Sequence, residues 1–219
     1  MKWGAAVLGT GATVTYAVTA AAQDFPAARN CKGIVPIDGL LAASGVARFG
    51  FDAELSAAFA AWSAVANIRF APADAAVADI LIGAEAKPLG RAFTNVAYGS
   101  GGAAGDGSRS IGHSVICLNP AERWKIGFDG NLDVYDLRYT LEHEIGHAIG
   151  LDHPSGTSSL MGFRYLEKFA GPQPGDIAGA QELYGAAEGQ VAVREPRANV
   201  NADQMKATPT LAIGAPAPR

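Results

Sequence analysis

The chain has 219 residues, enough for one well-buried domain with a short appendage. Its 17 basic and 21 acidic residues leave a formal net charge of −4 with no cluster of Lys and Arg, which argues against a nucleic-acid partner. No apolar run approaches the roughly 20 residues that a membrane-crossing helix needs, so no transmembrane segment is expected.

The first 23 residues, MKWGAAVLGTGATVTYAVTAAAQ, have a lysine and a mildly apolar stretch in the manner of a signal peptide. Four threonines interrupt that stretch, and ATVTYAVT has the β-branched alternation of a half-buried strand. The strand is the expectation. The turn-rich CKGIVPIDGLLAASG follows, and then a helical pattern from Asp52 to about Ala66. Leu55, Phe59 and Trp62 mark one face of that helix, and Asp52 is placed to cap it.

IRFAPA, ADILIGA, RAFTNVAY and HSVICLN read as four more short strands, which with the helix suggest an α+β layer arrangement. The glycine-rich GSGGAAGDGSRS between the last two reads as a loop. A second helix is expected from about Val134 to Ile149, with Asp133 as cap and Gly150 ending it in a left-handed conformation. DIAGAQELYG reads as a last helix, capped by Asp176 and stopped by Gly185. The division expected is one domain over 1–185 and an Ala- and Pro-rich tail or linker over 186–219.

Three of the four histidines fall in HEIGHAIGLDH, residues 143–153. On a helix, His143 and His147 stand one turn apart on one face and can offer ring nitrogens to a single ion. A catalytic zinc wants three protein ligands and an open position, and His153 becomes the third if the chain turns sharply after Ile149, which Gly150 permits. Glu144, next to the first ligand, is the natural general base. A structural zinc would need a fourth protein ligand, commonly a cysteine. Cys31 and Cys117 are the only thiols, so one disulfide, a free core thiol, or Cys31 closing the metal site are the readings left open.

The pattern H-E-x-x-H-x-x-G-x-x-H, with Met161 downstream in SSLMGFRY, resembles the metzincin zinc peptidases. KWG with GTGATVTYAV, FAAWSAVANIRF, ADILIGA and DIAGAQELYG resemble, in this order, the first strand, first helix, a central strand and last helix of matrixin catalytic domains. The resemblance covers most of residues 2–185. It implies a twisted five-stranded mixed sheet with three helices and one Zn²⁺ on His143, His147 and His153. It also implies Glu144 as general base, a methionine turn at Met161, and endopeptidase action on protein or peptide substrates lying along Arg91 to Tyr98.

Pro154 is shared with serralysins. Phe163, however, stands where astacins and serralysins have a tyrosine, and Tyr165 matches the matrixin segment. By that match Phe163, Arg164 and Tyr165 wall the S1′ pocket, with an apolar P1′ preference. The family further implies secretion, a monomer, and Ca²⁺ bound through loop carbonyls and Asp106. With only His113 left over, a second zinc is not expected, and His113 reads as a partly exposed strand residue. With no cysteine-switch motif read before the first strand, either a mature catalytic domain or one regulated otherwise is expected. A zinc-keeping adhesion or binding module and a zinc amidase acting on non-protein amides are the alternatives. The intact Glu144 argues against the first, and the S1′ segment against the second.

Overall fold

A computed structural model describes residues 1–99, 109–156 and 158–188. The alternating segment near the N-terminus is a strand, β1 (Ala12–Val18), in the middle of a mixed sheet. The chain continues through short β2 (Gln23–Asp24) and β3 (Gly33–Val35), helices α1 (Asp38–Ser44) and α2 (Arg48–Ser63), and β4 (Ile68–Pro72). Then come β5 (Ile80–Glu85), β6 (Ala92–Tyr98), β7 (Ile111–Leu118), a small parallel pair β8 (Trp124–Lys125) and β9 (Tyr135–Asp136), and helices α3 (Leu137–Ala148) and α4 (Pro174–Tyr184).

The five long strands lie in the order β4-β1-β5-β7-β6. All pairs are parallel except β6 with β7, which leaves β6 on the edge beside the helices. β3 takes over from β1 along β5, pairing antiparallel at Ala84 and Glu85, and β2 pairs with β3. The expected α+β sheet is therefore present, lengthened by two short strands. A fourth helix joins the three expected: α1 arises in the segment read as turns, because Leu40 and Leu41 bury against the core while Gly45 ends the helix at φ +68°.

Strand alternation distributes the core over both sheet faces. On β5, Ile80, Ile82 and Ala84 face the helices while Leu81 faces away; on β7, Ile116 and Leu118 face the helices while Val115 and Cys117 face away. The helix side is closed by α2, whose Phe51, Leu55, Ala58, Phe59 and Trp62 recur at helical spacing and are all buried. Burying a side chain such as Leu55 or Phe59 contributes about 1.5–3 kcal/mol. The Trp62 indole N–H donates to the Glu142 carbonyl at 2.8 Å and so joins α2 to α3.

Helix boundaries correct the sequence reading at three caps. α2 starts at Arg48 after Ala47, and Asp52 sits inside it, paired with Arg48 at 2.8 Å. α3 is capped by Asp136, not Asp133; its carboxylate accepts from the Tyr139 N–H at 2.8 Å. α4 is capped by Gln173, and Asp176 lies at the third helical position, completing a reciprocal capping box. Pro174 at the first helical position is the signal that places this start three residues earlier.

The smaller core cluster beyond the sheet contains a disulfide between Cys31 and Cys117, with Cα atoms 6.2 Å apart, which excludes Cys31 as a metal ligand. It ties the segment before β3 to β7 across 86 residues of sequence. By loop closure alone a crosslink of that span stabilises by about 4–5 kcal/mol. Double replacement by serine should therefore lower the unfolding free energy by about 2–5 kcal/mol. Denaturant titrations of the two proteins measure this, and reductant should bring the parent down to the variant.

Candidate metal centre

α3 is buried over most of its circumference, with ten of its twelve residues inside. A helix this enclosed is normally apolar, yet this one carries Glu142, His143, Glu144 and His147. Gly150 ends the rise at φ +104°, and the Gly150 and Leu151 amides donate back to the His147 and Gly146 carbonyls at 2.9 and 3.0 Å. A side chain at Gly150 would meet the Met1 carbonyl oxygen as well as the unfavourable φ. The chain then doubles back and brings His153 to the two helical histidines.

The three Nε2 atoms form a small triangle, with that of His143 3.2 Å from those of both His147 and His153, and the latter two 3.1 Å apart. Ligand nitrogens about 2.0–2.1 Å from one tetrahedral ion are about 3.3 Å from each other, so the triangle matches one face of a zinc site. The opposite ring nitrogens are engaged: His143 Nδ1 donates to the Leu160 carbonyl at 2.8 Å and His147 Nδ1 to the Leu151 carbonyl at 2.9 Å. A proton on Nδ1 leaves the lone pair on Nε2 facing the triangle. Burial pushes the His143 pKa down to about 3, helped by the neighbouring His147, and burial likewise lowers those of His147 and His153. The neutral imidazole is the ligating form. Among the described residues this is the one group of three or more His, Cys, Asp or Glu whose donor atoms converge in this way.

Glu144 lies one residue along, buried, and burial pushes its carboxyl up to about pKa 7. Thr94, on edge strand β6, reaches over to it. The Thr94 hydroxyl is 2.7 Å from Glu144 Oε2 and 2.9 Å from the Glu144 carbonyl oxygen. Beneath the histidines, Met161 packs with its sulfur against Gly146, where a Cβ would collide with Met161 Sδ and come within 2.9 Å of Trp62. Met161 is held from below by Asp176 of α4, whose carboxylate accepts from the Leu160 and Met161 amides at 2.8 and 3.2 Å and from the Ser159 hydroxyl.

The pattern of the matrixin peptidase family matches residues 42–185, which contain this whole constellation. The chain belongs to the matrixin family. It is 33% identical over 142 residues to matrix metalloproteinase-19 of Mus musculus, covering 61% of this chain and 25% of that protein. It is 29% identical over 143 residues to human matrix metalloproteinase-20, covering 61% and 28%. Against metalloendoproteinase 4-MMP of Arabidopsis thaliana it is 30% identical over 139 residues, covering 58% and 38%. The chain thus spans well under half the length of these relatives. Matrixin membership implies zinc, and the neutral histidine triangle fits that ion.

Within this matrixin domain the residues after Met161 divide. Phe163 is 78% exposed with its ring 5.4 Å from that of His153, and Arg164 is exposed too. Tyr165 turns inward: its hydroxyl accepts from the Asp136 amide at 2.7 Å and donates to Glu167 at 2.8 Å, and its ring packs edge-on against Tyr135 and Tyr139. The Arg91 guanidinium lies 5.1 Å from the rings of both Tyr135 and Tyr165. His113 is a half-buried residue of β7, away from the triangle and beside Phe25. Asp106, considered for calcium, lies outside the described residues.

Thr94, Gly146, Arg91 and the holding role of Asp176 did not emerge from sequence. Thr94 belongs to a strand whose distance from HEIGH in sequence hides their contact. Gly146 sits in the variable part of the motif, and only the sulfur above it explains the residue. Replacing Gly146 with alanine should overpack this contact and destabilise by about 1–3 kcal/mol. Thermal unfolding measures that loss, and zinc content measured alongside should fall with it.

Proposed function

We propose that this chain is a secreted zinc endopeptidase in which Glu144 serves as general base beside an ion held by His143, His147 and His153. The observation that carries the reading is the convergence of three Nε2 atoms within 3.2 Å of one another, one residue from a buried carboxylate. Zn²⁺ supplies Lewis acidity at such a site, making a water nucleophilic near neutral pH and polarising the scissile carbonyl.

Glu144 takes the proton of the attacking water and passes it to the departing amine. Burial raises its proton affinity, which suits both halves of that task. The Thr94 hydroxyl fixes Oε2 and opposes the burial by stabilising the ionised form, so the other oxygen is the one free to carry the proton. A peptide substrate would lie extended along β6, the edge strand from which Thr94 projects. The exposed Phe163 ring beside His153, with Arg164 and Tyr165, would bound the pocket for the residue after the cleaved bond and favour apolar side chains there. A buried disulfide supports an oxidising compartment and hence secretion.

Cleavage of a mixed quenched-peptide library tests the reading directly. Zinc-loaded protein should cleave, chelated protein should not, and Glu144→Ala should keep its zinc while losing about 10²–10⁴-fold or more in kcat. Cleavage by Glu144→Ala at the parent rate would overturn the assignment of the base. Thr94→Val should lower kcat about tenfold with little change in KM, the cost of a hydrogen bond to a charged group. Because that hydrogen bond lowers the Glu144 pKa, its loss should also shift the acid limb of the pH–rate profile to higher pH, and Thr94→Ser should restore both.

A further inference from the structure

Glu142 precedes the first histidine, but it stands on a different face of α3. With Arg138, four residues earlier, it points away from the metal triangle toward α2 and the loop after β8. There lies an open cavity of about 300 Å³, lined by Glu54 of α2, Asp136, Arg138, Tyr139 and Glu142 of α3 and its cap, and Phe128 and Phe169. Its size lies at the lower end of small-ligand sites, about 300–1,000 Å³, and suits a single extended side chain better than a cofactor.

The charges in this cavity do not balance. Glu54 is taken by Arg138, whose Nε lies 2.5 Å from Glu54 Oε2. Asp136 accepts from the Gly127 and Tyr139 amides at 2.6 and 2.8 Å. Glu142 is only 3% exposed, and its carboxylate makes no hydrogen bond or close ion pair among the described residues; the positive charge that acts on it, Arg138, is already paired with Glu54. A carboxylate whose nearby cation is shared with a second carboxylate is costly to keep ionised unless a donor or a further positive charge meets it.

The chemistry of the lining selects the ligand. A metal ion would need donor atoms gathered on one point, and the three carboxylates are not so gathered; among the described residues only the histidines are. The cavity instead combines carboxylates with aromatic rings in one lining, the Phe128 and Tyr139 ring centroids being 6.1 Å apart. Aromatic faces attract organic cations and cover methylene groups, while a carboxylate binds the charged head by a charge-assisted hydrogen bond. Phe128 and Ile126 are 43% and 47% exposed at the rim, so the cavity opens to solvent and a ligand can enter.

We propose that this cavity is a binding site for an organic cation on an apolar stem, namely the guanidinium or ammonium of an arginine or lysine side chain, with Glu142 as its counter-charge. The source is either a basic residue of a polypeptide or a free small cation of the same chemistry. The site shares neither the histidines nor Glu144, so it stands or falls independently of the peptidase reading.

The test uses the full chain carrying Glu144→Ala, so that no probe is consumed, and measures binding by calorimetry. Nα-acetyl-arginine amide should bind saturably, and its neutral citrulline counterpart should bind at least about tenfold more weakly. Butylguanidine, which has one guanidinium on an apolar stem without the peptide groups, separates the sources: affinity equal to or above that of the arginine probe indicates a free cation, and weaker affinity a polypeptide side chain. Glu142→Gln should reduce arginine binding about tenfold or more. Ala170→Trp, at an exposed position on the cavity wall, should block it sterically without disturbing the buried core. Melting temperature and zinc content verify that both variants are folded. Equal binding of arginine and citrulline, no saturable binding of arginine by folded protein, or affinity undiminished in both variants would overturn the proposal.

Discussion

The hydrogen bond from His143 Nδ1 to the Leu160 carbonyl is the constraint on which the centre of this molecule rests. It assigns the proton to one nitrogen of a buried imidazole and aims the lone pair of the other at the triangle. The same residue, Leu160, donates its amide to Asp176, so a single peptide segment is gripped from above by the α3 histidine and from below by α4. Met161 follows at once and presses its sulfur against Gly146, one turn along the helix that bears the histidines. Orientation of the ring, the path of the turn and the docking of the last helix are therefore one mechanical unit.

That unit explains how α3 tolerates so much polarity at depth. The histidines and Glu144 meet different compensations. The histidines stay neutral because burial disfavours their charge and backbone carbonyls accept their Nδ1 protons. Glu144 has the Thr94 hydroxyl from the edge strand. Glu142 has no such partner, and burial pushes it up to about pKa 7. Both carboxyls thus bind protons more readily in the folded chain than in the unfolded one. Their contribution to stability is complete below the ordinary carboxylate range and fades as pH rises through about 7. The histidines act in the opposite sense, their contribution being present above about pH 6.5 and lost as pH falls toward their lowered pKa values.

The edge position of β6 links this chemistry to the sheet. β6 is antiparallel to β7 and lies beside α3, so one of its side chains, Thr94, reaches the helix while its outer edge is free of strand partners among the described residues. The disulfide holds the far face of β7 to the segment before β3, stiffening the strand against which β6 is registered. Rigid strands on one side and a clamped turn on the other are what hold three imidazoles to a common point.

Much of this was legible in the linear sequence. The five long strands, the stripe of α2 and the pairing of His143 with His147 follow from periodicities of two and three to four residues, which local geometry imposes whatever the rest of the chain does. The glycine at 150 announces a reversal because only a residue without a Cβ accepts φ near +104°. Helix starts were less legible: Asp52, Asp133 and Asp176 all look like caps, and which acidic residue caps depends on where packing begins the helix. Helix α1 was hidden because its burial comes from distant partners, not from its own seven residues. Tertiary structure alone decided that Cys31 meets Cys117, that Thr94 touches Glu144, and that Glu142 lines an open cavity while its neighbour faces the triangle. Those contacts join residues tens of positions apart or depend on what surrounds a helix face, and no local preference of the chain encodes them.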